Sequence, residues 1–133
     1  MKKIFIVALI ISFFTNIHYS EEKKDISKVI TLINEEKYQE ALTLVDTLSE
    51  SSDKKLLLAI IKLQTENYDE SEKLLKEIID ELPELVPARY NLAMLYEKKK
   101  QYKDAIQEWE KVLEISKDKA LRALSIKHIR QLR

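Results

Sequence analysis

The chain has 133 residues, 45% of them apolar, with 23 basic against 23 acidic residues, two Pro, no Gly and no Cys. That length and hydrophobicity suit one packed domain. The missing Cys excludes a disulfide framework, a thiolate nucleophile and a thiolate metal site. The missing Gly excludes a Gly-rich phosphate loop and disfavours strand-rich folds with many tight turns, whereas the abundant Leu, Glu, Lys, Ile and Ala favour helices.

Residues 1–20 carry only Lys2 and Lys3, and Ile4 to Phe14 is an apolar run broken only by Ser12. A basic start, a short apolar run and then polar Thr15 and Asn16 have the layout of a secretory signal. The run is short for a membrane span, which needs about 20 apolar residues. Three readings stand: a signal cleaved near Ser20, a retained N-terminal anchor, and a buried first helix. The first two put residues 21–133 outside the cytoplasm, as a periplasmic or membrane-anchored domain.

After this segment the charges separate. Residues 21–116 hold 15 basic and 22 acidic side chains, and residues 117–133 hold six basic side chains against Asp118 alone. Neither imbalance is strong enough to indicate nucleic acid as a partner.

A motif then recurs three times along the chain. Tyr38-Gln39-Glu40-Ala41, Tyr68-Asp69-Glu70-Ser71 and Tyr102-Lys103-Asp104-Ala105 each place a small residue three positions after Tyr. Apolar residues follow at helical spacing: Leu42, Val45 and Leu48; Leu74, Leu75, Ile78 and Ile79; Ile106, Trp109, Val112 and Leu113. Each segment reads as an amphipathic helix of about four turns. A second amphipathic stretch precedes each Tyr, at Ile26 to Ile33, Leu56 to Leu63 and Ala88 to Tyr96. Only a few polar residues separate each pair, so three antiparallel helical hairpins are expected. Asn34 and Asn67 suit left-handed turn positions in a chain without Gly. Pro83 and Pro87 punctuate the join before the third hairpin. Last, Ala120, Leu121, Leu124, Ile129 and Leu132 mark one face of a closing helix, with basic residues over the rest.

The spacings of 30 and 34 residues between successive Tyr, with these hairpins, resemble tetratricopeptide repeats. The likeness is most specific at residues 86–119. There Leu92-Ala93 supply the Leu-small pair, Tyr96 and Trp109 the aromatics of the two helices, and Ala105 the small residue of the second. Residues 52–85 match at Leu58, Ala59, Tyr68, Ser71, Leu75 and Pro83, with Lys62 in place of the first aromatic; residues 22–51 match only in the second helix. The resemblance implies an all-α fold: three stacked helical hairpins in a short right-handed solenoid, closed by a capping helix at 120–133. Ala93 and Ala105 let two helices approach, and Tyr96, Tyr102 and Trp109 fill the space beside them.

The resemblance also implies a concave, partner-binding groove. Counted from the Tyr of each second helix, its lining would be Ile26, Ile30, Ile33, Leu56, Ile60, Leu63, Tyr90 and Met94. The same residues fit a core if the hairpin turns are one residue shorter, and their spacing allows either. The family's clamp for a terminal carboxylate is not implied: Asn91 lies near such a position, but Ile26 and Leu56 stand where basic residues are needed. Trp109 suits the core, or an interface anchor.

No catalytic, cofactor-binding or metal-binding residues are expected, and so no cofactor. His18 and His128 are the two histidines, too few for a clustered metal site. The function expected is a non-enzymatic adaptor that binds a segment of another protein in the cell envelope. The alternative is a structural subunit stacking end to end with another repeat protein or with itself. The partner is a protein, not nucleic acid; a membrane contact would run through residues 4–19 if they are retained. The basic residues of the last helix suit anionic lipid or an acidic partner, or simply a solvated face.

Overall fold

The computed structural model describes residues 21–133, with side chains from Lys23 onward. The leader or anchor expected at residues 1–20 lies outside the described residues. Among the latter there are seven helices and no strand: α1 (Glu21–Asn34), α2 (Tyr38–Asp46), α3 (Ser52–Gln64), α4 (Tyr68–Glu81), α5 (Val86–Lys98), α6 (Tyr102–Ile115) and α7 (Lys119–Leu132). None of them is long and apolar enough to cross a membrane.

The chain divides into two compact units, one ending at Asn67 and the other running Tyr68–Arg133. In the first, α1, α2 and α3 pack against one another. Val29, Ile30, Val45, Leu57 and Ile61 are buried there. The helix α2 is shorter than the four turns expected from the sequence, at nine residues. Its apolar pattern continues to Leu48, which is buried, but Thr47 already caps the helix and Thr47 Oγ1 donates to Leu44 O at 2.7 Å. The next helix starts at once. Ser51 Oγ accepts from Lys54 N at 3.1 Å, supplying an N-cap for α3.

In the second unit α4, α5, α6 and α7 each pack on the next. Pro87 lies in the first turn of α5, where a missing N–H costs nothing. Arg89 ties the preceding corner down: its Nε donates to Pro83 O at 2.6 Å, and its Nη1 pairs with Glu108 of α6 at 2.9 Å. A second link joins α4 to α5, where Lys99 Nζ meets Glu72 at 2.8 Å and Asp69 at 3.2 Å. Burial alone would raise the Glu72 carboxyl, but hydrogen bonds from Lys76 and Lys99 outweigh it and hold the group below the usual carboxylate value. Asp118 caps α7, its Oδ1 accepting from Leu121 N at 2.7 Å.

Three turns are built alike. Glu36, Glu66 and Lys100 have φ of 59°, 64° and 59°. Each N–H bonds back three residues, to Ile33 O, Leu63 O and Glu97 O. The following N–H bonds back five, Lys37 to Leu32 O, Asn67 to Lys62 O and Gln101 to Tyr96 O, each at 2.8 Å. This is the Schellman ending of a helix, which ordinarily places Gly at the left-handed residue. The expectation for Asn34 and Asn67 is therefore corrected. Asn34 closes α1 as its last helical residue, and Asn67 follows the left-handed position rather than filling it. The backbone geometry of the turn fixes the position, and the side-chain type does not move it.

Candidate functional site

One register runs through the second helices. Counted from Tyr38, Tyr68 and Tyr102, the third, seventh and tenth following residues are Ala41, Val45 and Leu48; Ser71, Leu75 and Ile78; Ala105, Trp109 and Val112, and all nine are buried. Among the first helices, the ninth residue before each Tyr is Val29, Ala59 or Ala93, and all three have no exposure. Ala93 and Ala105 are thus interior small residues, as expected, with Tyr96 buried nearby in sequence on α5. Tyr102 is not a filler: it is 46% exposed. It opens α6 directly after the turn, and a first-turn side chain at that point projects over solvent.

The residues expected to line a groove are mostly interior. Ile26, Ile30, Ile33, Leu56, Ile60, Leu63 and Tyr90 are all buried, and Met94 alone is half-buried. The first six belong to the unit ending at Asn67, and Tyr90 and Met94 to the other. A side chain with under a tenth of its surface open has little to offer a partner, so Met94 is the member of this set best placed to touch one.

The same row of positions contains a polar departure that the sequence reading missed. Twelve, eight and five residues before the Tyr stand Ile26, Ile30 and Ile33, then Leu56, Ile60 and Leu63, but in the third case Tyr90, Met94 and Glu97. Glu97 Oε1 accepts from Trp109 Nε1 at 2.6 Å and lies 2.6 Å from His128 Nδ1, which therefore donates. The His128 ring stacks on Trp109 with centroids 4.5 Å apart and 26° between planes. Tyr90 meets the other aromatic edge-on, at 5.2 Å and 87°. One carboxylate thus joins α5, α6 and α7. Burial, and after it the nearby Glu97 charge, pushes the Tyr90 hydroxyl up to about 12. The sequence signal was available: Glu97 is the acidic residue at a position where the other two repeats place Ile33 and Leu63. Asn91 is buried too, its Nδ2 donating to Pro87 O at 2.8 Å while its Oδ1 has no partner.

Residues 62–125 match the family model of the tetratricopeptide repeat. This segment belongs to the tetratricopeptide repeat family. No curated protein and no solved structure matches the chain. The matched tetratricopeptide segment runs from the end of α3 into α7 and includes the whole hairpin of α5 and α6. Repeats of this family generally mediate protein–protein interaction and typically form non-catalytic scaffolds. Among the described residues, no group of three or more His, Asp or Glu could hold a metal ion.

Proposed function

We propose that this tetratricopeptide repeat protein is a non-enzymatic adaptor that holds a segment of another protein in the cell envelope. The register shared by the three second helices carries the reading. Stacked repeats of one buried pattern present extended surfaces, and ion pairs such as Arg89 with Glu108 and Lys99 with Glu72 fasten neighbouring helices of the second unit to one another. Met94 supports a contact on the first helix of the third repeat: it is a flexible, polarisable side chain, half open, where the equivalent Ile30 and Ile60 of the other two repeats are buried. The envelope location rests on the sequence of residues 1–20 and on no structural observation.

The interaction is tested with a photo-crosslinking side chain placed at position 94 of the full chain in cells. The expected result is a discrete crosslinked protein, absent when the probe sits at Lys111 on α6; that protein is then expected to co-purify with the wild-type chain and not with Met94→Glu expressed at normal helicity. Crosslinks that do not depend on position 94 would contradict the proposed surface. For the location, alkaline phosphatase fused after Arg133 is expected to be active, since it needs an oxidising compartment; an inactive, stable fusion would overturn the export reading.

A further inference from the structure

Two exposed patches of opposite charge lie within the unit Tyr68–Arg133. The first is the outer face of α7. This helix, KALRALSIKHIRQL, holds no acidic residue. Arg122 is accounted for, since its Nη1 donates to Leu113 O and Ser116 O at the end of α6. Arg133 is also accounted for, by its pair with Glu110 at 2.9 Å. That leaves Lys119, Lys127 and Arg130, all exposed, with no carboxylate paired to them among the described residues. Ile126, 38% exposed, lies between Lys119 and Arg130 along the helix and next to Lys127. Helix stability does not explain them all. Lys119 opens the helix, at the end where the macrodipole disfavours a cation.

The second patch is the corner between α4 and α5. Asp80, Glu81, Leu82, Pro83 and Glu84 are all exposed, with Leu82 at 43%. The corner is held in place by Leu82 N on Ile78 O at 2.7 Å, Leu85 N on Leu82 O at 3.0 Å and Arg89 on Pro83 O. It is an apolar knob between carboxylates, already ordered, as the α7 face is an apolar patch between cations. The sizes agree. Lys119 to Arg130 spans about 16 Å of helix, and Asp80 to Glu84 reaches at most about 14 Å.

We infer that the α7 face of one copy receives the Asp80–Glu84 corner of a second copy, Leu82 seating beside Ile126 and the carboxylates meeting Lys119, Lys127 and Arg130. The contact is heterologous, so every pair leaves one free face and one free corner and the assembly extends as an open chain or closes as a ring. It is independent of the adaptor surface at Met94, which neither patch includes. Exposed ion pairs are weak and salt-screened, so the association belongs to low ionic strength and high local concentration.

The test uses two full-length copies with different affinity tags, co-expressed and co-purified at low salt. Reversal variant one carries Lys119→Glu, Lys127→Glu and Arg130→Glu; variant two carries Asp80→Lys and Glu84→Lys. All five positions are exposed, and circular dichroism checks that each variant stays helical. Wild type is expected to co-purify with wild type, and each variant to lose most of its pairing with itself. Mixing variant one with variant two is expected to restore pairing, because each then offers the charge the other lacks. The proposal is overturned if wild-type copies do not pair, if either variant pairs with itself as wild type does (the result if residues 1–20 drive association), or if the two helical variants fail to pair with each other.

Discussion

Glu97 has the widest reach of any single side chain described here, because three helices meet at its carboxylate. Removing it leaves the Trp109 indole N–H and the His128 ring N–H without their acceptor in a partly buried place, a loss of about 1–3 kcal/mol. Glu97→Ala is expected to lower the urea midpoint accordingly, and Glu97→Gln, which keeps an acceptor oxygen, to lower it less. In a double-mutant cycle with His128→Ala the two losses should fall short of additivity, since they share one contact. Tyr90 gives a test at high pH. Its folded pKa of about 12 lies above the ordinary 10.0, so the buried neutral phenol stabilises the fold fully below pH 10 and that contribution is lost as pH rises from about 10 to about 12. Phenolate absorbance is expected to show Tyr90 among the late-titrating tyrosines, with Tyr96 also raised by its burial, and the helical signal to fall as Tyr90 ionises. A titration complete by about pH 11 with helicity intact would contradict its placement.

At the scale of elements, most of the hairpins were legible in the sequence and their ends were not. The period of the apolar residues specifies which face of each helix is buried, and the nine interior residues at equal distances from Tyr38, Tyr68 and Tyr102 follow from it. The short α2 was not legible, because Leu48 continues the apolar pattern past the end of the helix while Thr47 and Ser51 decide the boundary. The left-handed turn residues were not legible either. Without Gly to mark them, Glu36, Glu66 and Lys100 look like ordinary polar helix residues. A non-Gly residue in that region costs on the order of 1 kcal/mol, partly offset by the freedom Gly adds to the unfolded chain. Glu66→Gly and Lys100→Gly are therefore expected to raise stability by up to about 1 kcal/mol each. A lower melting temperature in both would contradict the Schellman geometry. The groove residues were ambiguous for a physical reason: a spacing of three and four marks a helix face, but whether it meets another helix or a partner depends on rotation, which a single residue in the turn alters.

For the molecule as a whole, the account depends on the repeat. Burying one Val, Leu or Ile side chain contributes roughly 1.5–3 kcal/mol, and a single hairpin has too few of them to stand alone. The chain compensates for its lack of Cys by burying the same positions three times over. Amide hydrogen exchange on the full chain, resolved by residue, tests this most directly. The slowest amides are expected in three groups, around Val45, Leu75 and Trp109, with fast exchange at Glu36, Glu66 and Lys100. Protection confined to one of the three groups, or exchange around Leu75 and Trp109 as fast as in the turns, would contradict a repeated interior.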